Sequence, residues 1–250
     1  MDNTLNNLTV GIPTFNSERT IEQCIKSVVL QEFVPSMIII SDDGSTDSTT
    51  EICKGLLEAA PIDYKIINNS GPSGISGNYN SIVKNCKTEY LQILDHDDYL
   101  LHGTFTVDFQ KVLQTFSGLI LLRMSLEKSL LNGLIKPMQL ALSILYKEIP
   151  RGLPLLGTTF TRSGIIYPLS VLRKFPLQSP YQAGADILQF HQIRGLVKLR
   201  IWNFGGIIYS LNSSAYSSSH SVSLYPKTFL YRLDFLLRRN LSRKIRKVIN

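Results

Sequence analysis

Cysteine is scarce in this chain of 250 residues: Cys24, Cys53 and Cys86 stand far apart, and no CxxC pair occurs. That spacing excludes a zinc ribbon and a disulfide-built scaffold, and it suits a reducing compartment. Long apolar runs are missing as well. A membrane-spanning helix needs roughly 20 mostly apolar residues. The best stretch, Gly118 to Leu145, is interrupted by Arg123, Glu127, Lys128, Lys136 and Pro137. The opening residues, MDNTLNNLTVGIP, hold neither a basic segment nor an apolar one of signal-peptide length, so no secretory leader is expected. Glycines cluster between Gly71 and Gly77 without the Gly-Lys-Ser/Thr of a Walker loop, and no GxSxG hydrolase elbow is present.

A charge excess is absent from most of the chain, although the net charge is +7. From Lys227 onward eight basic residues face one acid, Asp234, so this segment alone accounts for the +7. A neutral body argues against a nucleic-acid groove, and a basic terminal segment suggests an appendage that binds a surface. Between those basic residues Leu230, Leu233, Leu236, Leu237, Leu241, Ile245, Val248 and Ile249 fall largely on one helical face. Two readings stay open: an interfacial helix on anionic lipid, or a helix packed on the domain with a solvated basic face. The expected division is a domain over residues 1–225 and a basic amphipathic helix over 226–250. Such a protein is expected in the cytoplasm, with a peripheral place at the inner face of the membrane.

With 44% hydrophobic and 18% charged residues the chain can bury a core. The first hundred residues alternate between strand and helix patterns. Strands are predicted over Leu8 to Pro13, Met37 to Ile40, Tyr64 to Ile67 and Tyr90 to Leu94, and Met37 to Ile40 is apolar without alternation, as in a strand covered on both faces. Helices are predicted over Arg19 to Gln31, Thr46 to Leu57 and Ser76 to Cys86. This order implies a Rossmann-like α/β domain, a mainly parallel sheet with helices on both faces. Further on, Gly118 to Met124 and Gly157 to Arg162 read as strands, Ser125 to Tyr146 as an interrupted helix and Leu169 to Lys174 as a short helix. Asp186 to Gln192 reads as helical, and Val197 to Tyr209 as one or two strands.

In such sheets ligands bind beyond the carboxyl ends of the strands. Three polar clusters fall there: Pro13-Thr14-Phe15-Asn16, Asp42-Asp43-Gly44-Ser45 and Asp95-His96-Asp97-Asp98. Asp and Asn also favour turns and caps, which suffices for Asp42 and Asp47 taken alone. Three acids within four positions are different. Like charges that close repel unless a cation neutralises them, and a hard divalent ion with oxygen ligands is the natural partner.

The segments VGIPTFN, IIISDDGSTDST and YLQILDHDDYL resemble the inverting glycosyltransferases of family 2, which have the GT-A fold. The resemblance is good over residues 8–105 and weak to about 223. It implies that the first two loops, with Pro13, Thr14, Asn16 and Asp43, hold a nucleotide. It also implies that the Asp-x-Asp element, Asp95-His96-Asp97, binds ribose and a metal, Mn²⁺ or Mg²⁺, bridging the diphosphate. Asp43 suits the N3–H of uracil or thymine, so the donor is expected to be a UDP- or dTDP-sugar. Asp97 is the better direct metal ligand, with Asp95 on the ribose or a metal-bound water, while His96 points away. Asp98 could orient Asp97 or contact the donor sugar. Gly74 and Asn80 match family positions, with Asn80 either a donor-sugar residue or a helix-surface one, and Tyr79 stands where an arginine is common.

The resemblance further makes Asp186, in Ala183-Gly184-Ala185-Asp186, the catalytic base that takes the acceptor hydroxyl proton; a helix-cap role is its alternative. His220 and Ser223 match a late family element, with Ser218 in the place of an arginine, and His220 could ligate the metal when a loop closes. The implied activity is transfer of a sugar to the hydroxyl of a saccharide, lipid-linked and part of a bacterial surface polysaccharide such as O-antigen or capsule. A catalytically degenerate nucleotide-sugar binder, suggested by Tyr79 and Ser218, is the alternative. A sugar-1-phosphate nucleotidyltransferase is disfavoured because no Gly-rich start with a following arginine is present.

Overall fold

Apolar residues on successive strands decide the architecture, because alternate side chains of each strand enter opposite cores. The computed structural model describes residues 3–69, 74–126, 162–177, 189–190, 192–193 and 196–209. In β2 (Val34–Asp42) Ile38 and Ile40 join one core while Ile39 joins the other, and β4 (Tyr90–Ile93) divides in the same way between Tyr90 and the pair Leu91 and Ile93. A strand buried on both faces needs a continuous apolar run, which is what the sequence pattern displays. The first core is roofed by α1 (Ile21–Val29), α2 (Thr49–Glu58) and α4 (Val107–Thr115); the second by α3 (Gly74–Asn85) and α5 (Leu169–Lys174).

The remaining strands are β1 (Thr4–Thr14), β3 (Asp63–Asn68), β5 (Tyr99–Leu100), β6 (Leu119–Leu126), β7 (Ile165–Pro168) and β8 (Leu199–Tyr209). Their order across the sheet is β3-β2-β1-β4-β7-β6-β8-β5. The first four pair in parallel, with Val10 opposite Ile38 on one side and Gln92 on the other. Then β7 runs antiparallel between β4 and β6, β6 and β8 are parallel, and β5 closes the edge antiparallel to β8. The sheet is thus mainly parallel with helices on both faces, as expected.

Two features set the site. Gly11 of β1 faces α3 so closely that a Cβ there would lie 2.2 Å from Ile82 Cγ2, which lets α3 settle against the strand. In β8 a bulge at Gly205 and Gly206, with φ of 65° and 138°, accommodates the loop before α4. Thr104 Oγ1 accepts the Gly206 N–H at 2.9 Å, and Leu101 N donates to Gly206 O at 2.8 Å. Non-glycine residues rarely adopt those backbone angles. The bulge thereby anchors the far end of the acidic turn, which runs from central β4 to edge strand β5.

Several elements differ from the sequence expectation. Ser125 belongs to β6, not to a helix, and 127–146 lie outside the described residues. Arg162 opens a 3-10 turn (Arg162–Gly164) rather than ending a strand. Val197 to Tyr209 supplies one strand, β8, and β5, β7 and α4 were not foreseen. The boundary at 225 and the basic segment 226–250 lie outside the described residues. Among those residues no helix is long and apolar enough to cross a membrane.

Candidate active site

The first two loops are sewn together by side chain to backbone hydrogen bonds. Asp42 is buried, and its carboxylate accepts from Thr14 Oγ1 at 3.0 Å, from Ser45 Oγ at 2.5 Å, and from the N–H groups of Gly44 and Ser45 at 3.2 and 2.8 Å. Four donors saturate it, so its work is internal to the loop. Asn16, at φ 48°, donates its N–H to Ser45 Oγ at 2.8 Å and accepts from Thr46 N at 2.9 Å. Asp47 accepts from Glu18 N at 3.1 Å with one oxygen, and from Thr49 N at 3.1 Å and Thr49 Oγ1 at 2.5 Å with the other. Asn16 therefore positions the loops, and Asp47 closes the turn that leads into α2, whose N-cap position is Ser48.

Asp43 turns the other way. Its N–H donates to Thr14 O at 3.0 Å, and its Oδ2 accepts from Gly74 N, the first residue of α3, at 2.9 Å. Thr14 O also accepts from Asn78 Nδ2 at 3.1 Å, and Asn78 Oδ1 accepts from Asn69 at 3.3 Å. The tips of β1 and β2 and the start of α3 thus meet at Thr14, next to Pro13, which pairs with Ser41. Phe15, one residue on, leaves its ring 52% exposed.

The third cluster closes a turn, with Asp98 N donating to Asp95 O at 2.9 Å. Leu94 N donates to Gly11 O, so the turn emerges beside the first loop. His96 Nδ1 shares a 3.0 Å hydrogen bond with Thr20 Oγ1, directing the ring toward the start of α1. Burial first, then the charges of Asp98, Asp95 and Asp97, hold the thiol of buried Cys24 well above its ordinary range. Asp97 is itself raised above the usual carboxylate range, chiefly by burial and then by the charge of Asp95, with His96 and Arg162 opposing. Two crowded carboxylates of this kind fit a divalent ion. Among the described residues no three His, Cys, Asp or Glu side chains converge. Mg²⁺-type sites commonly use one or two carboxylates and complete their shell with water and substrate phosphates.

Asn80 is placed differently from the expectation of a sugar contact. Its Nδ2 donates to Leu177 O at 2.8 Å and its Oδ1 accepts from Leu177 N at 3.0 Å, so its amide braces α3 against the chain after α5. Asn78, two residues earlier, is the one that reaches the loop. Arg162, which no sequence signal singled out, pairs its Nη2 with Asp95 Oδ1. Asp186, Ser218, His220 and Ser223 lie outside the described residues.

Residues 9–123 match the family model described as Glycosyl transferase family 2. This segment is a glycosyltransferase family 2 domain. A curated relative, the GalNAc(5)-diNAcBac-PP-undecaprenol beta-1,3-glucosyltransferase of Campylobacter jejuni, is 35% identical over 104 residues, 42% of this chain and 34% of that protein. The chain therefore spans about a third of the length of this relative. Among solved structures, S. aureus TarS in complex with UDP-GlcNAc superimposes with a TM-score of 0.64 at 20% identity, covering 84% of this chain and 61% of that one. The mannosyltransferase PcManGT from Pyrobaculum calidifontis, in complex with GDP-Man and Mn²⁺, gives 0.62 at 16% identity, covering 86% and 59%. The family 2 domain thus has the GT-A fold. These neighbours hold nucleotides of different bases, so fold alone does not select one.

Proposed function

We propose that the chain is an inverting, metal-dependent glycosyltransferase that moves a sugar from a UDP- or dTDP-sugar to a hydroxyl of a saccharide. The observation that carries this reading is the gathering of Asp43 and the Asp95–Asp97 pair at one end of the parallel strands β2, β1 and β4. Asp43 would accept the N3–H of uracil or thymine, and the exposed Phe15 ring of the first loop would offer a stacking face. Asp97 and Asp95 would hold Mn²⁺ or Mg²⁺, whose contribution is to offset charge on the departing diphosphate. Asp98, buried in the same turn, would orient Asp97 or meet the donor sugar. Asp186 would take the acceptor proton, and His220 would ligate the metal or touch the diphosphate. A lipid-linked acceptor, as in bacterial surface glycan synthesis, is supported by the Campylobacter relative, a glucosyltransferase of an undecaprenol-linked saccharide, and it would give the basic segment 226–250 a purpose at anionic membrane.

The test is nucleotide release with Mn²⁺ and a panel of nucleotide sugars, with and without glycan acceptors. Release from a UDP- or dTDP-sugar is expected. Release from none, alongside tight UDP binding, would replace the enzyme by a nucleotide-sugar binder. Asp43→Ala should weaken UDP binding by about ten- to one-hundred-fold in titration calorimetry, the cost of losing one charged hydrogen bond of roughly 1.5–3 kcal/mol. Unchanged affinity removes Asp43 from base recognition.

A further inference from the structure

Arg162 belongs to none of the motifs that define the site, yet its guanidinium is bound into it. The pair with Asp95 is largely enclosed, with 13% of the arginine and 24% of the aspartate side chain exposed. Ser163 fixes the turn that carries it at two points: its carbonyl accepts from Gln92 Nε2 at 2.7 Å, and its hydroxyl accepts from Asp95 N at 3.1 Å. The Tyr79 ring lies 5.8 Å from the guanidinium carbon, and its hydroxyl donates to Gln189 Oε1 at 3.0 Å. Gln189 in turn donates to Phe175 O at 2.6 Å. A planar fork backed by an aromatic ring and anchored at its base is preorganised for a carboxylate.

An arginine bond to Asp95 uses an oxygen that a divalent ion would also use. With Oδ1 taken by Arg162, an ion on the same carboxylate would be left with Oδ2 beside a like charge. A nucleoside diphosphate changes that balance, because its phosphate oxygens offer new acceptors both to the ion and to the guanidinium.

We propose that Arg162 is a positioning residue of the donor site, an internal counter-ion that engages Asp95 in the free protein, so that a divalent ion binds well only together with the diphosphate. The inference rests on the reading of Asp95 and Asp97 as metal-binding acids.

Calorimetric titration with Mn²⁺ alone, and with Mn²⁺ in the presence of UDP, tests it on the full chain. The unsubstituted protein should bind Mn²⁺ weakly alone and at least roughly ten-fold more tightly with UDP. Arg162→Gln should bind Mn²⁺ alone roughly ten-fold more tightly than the unsubstituted protein, and the advantage conferred by UDP should shrink. A merely structural arginine would move affinity in the opposite direction. Arg162→Lys, which keeps charge and most of the packing, should fall between the two, so the test survives if the glutamine variant does not fold. If neither variant binds Mn²⁺ alone more tightly while the unsubstituted protein binds it with UDP, the inference is overturned and the metal reading stands. If Mn²⁺ binds to none of these proteins even with UDP, both fall.

Discussion

Asp97→Ala is expected to lower metal-dependent kcat/KM by about three orders of magnitude. At an effective dielectric of ~20, a unit charge pair about 4 Å apart is worth roughly 4 kcal/mol, and each ~1.36 kcal/mol is ten-fold in rate. Losing the proposed direct ligand would forfeit most of the neutralisation of the leaving diphosphate. Retained Mn²⁺-dependent turnover would defeat the assignment. The same residue gives the expected pH dependence. Burial and the Asp95 charge raise the Asp97 carboxyl above its ordinary value, so the folded chain holds a proton that the unfolded chain releases at lower pH. Its contribution to stability is therefore full below the unfolded value near ~3.9 and is lost as pH rises through the raised folded value. Thermal unfolding without metal should show this decline between those limits, and Asp97→Asn should flatten it. Mn²⁺ affinity should run the other way, falling as acid returns the proton.

Asp186→Asn is expected to stop transfer while leaving donor binding intact. A positioned base contributes about 10²–10⁴-fold, and an amide of similar shape cannot take a proton. UDP affinity measured by titration should be unchanged while kcat falls by at least about 10²-fold. If Asp186 is only a helix cap, Asp186→Asn should leave both transfer and Tm nearly unchanged, because Asn caps as well as Asp, whereas Asp186→Ala should leave transfer in place and cost about 0.5–2 kcal/mol of stability. The two roles separate cleanly.

The parallel half of the fold was legible because burial on both faces writes itself into the chain as unbroken apolar runs, as at Met37 to Ile40. Elements after Leu101 were harder for reasons visible in the structure. In α4 only Phe109 and Leu113 are buried, too thin a stripe to reveal a helix, and its N-cap, Thr106, announces itself only through the 3.3 Å bond from Phe109 N. Strand β7 is four residues long and pairs with β4, some seventy positions earlier; nothing local specifies such a partner. Within the site, the strand-tip clusters could be read because Asp and Asn in that position have few purposes. The choice between neighbours was harder. Asn78 and Asn80 are two residues apart on a helix, a rotation of about 200°, so one reaches Thr14 and the other Leu177. Arg162 carried no signal, since its meaning arises only where Ser163 brings its turn beneath Asp95.

The seam between the first two loops bears on how fast a donor is captured. Because Asn16, Asp42 and Asp47 already hold these loops in register, this side of the cradle exists before any ligand arrives. Little chain entropy is left to be lost on complex formation. Association there should run at encounter-limited speed, with residence time, rather than loop ordering, distinguishing one nucleotide from another.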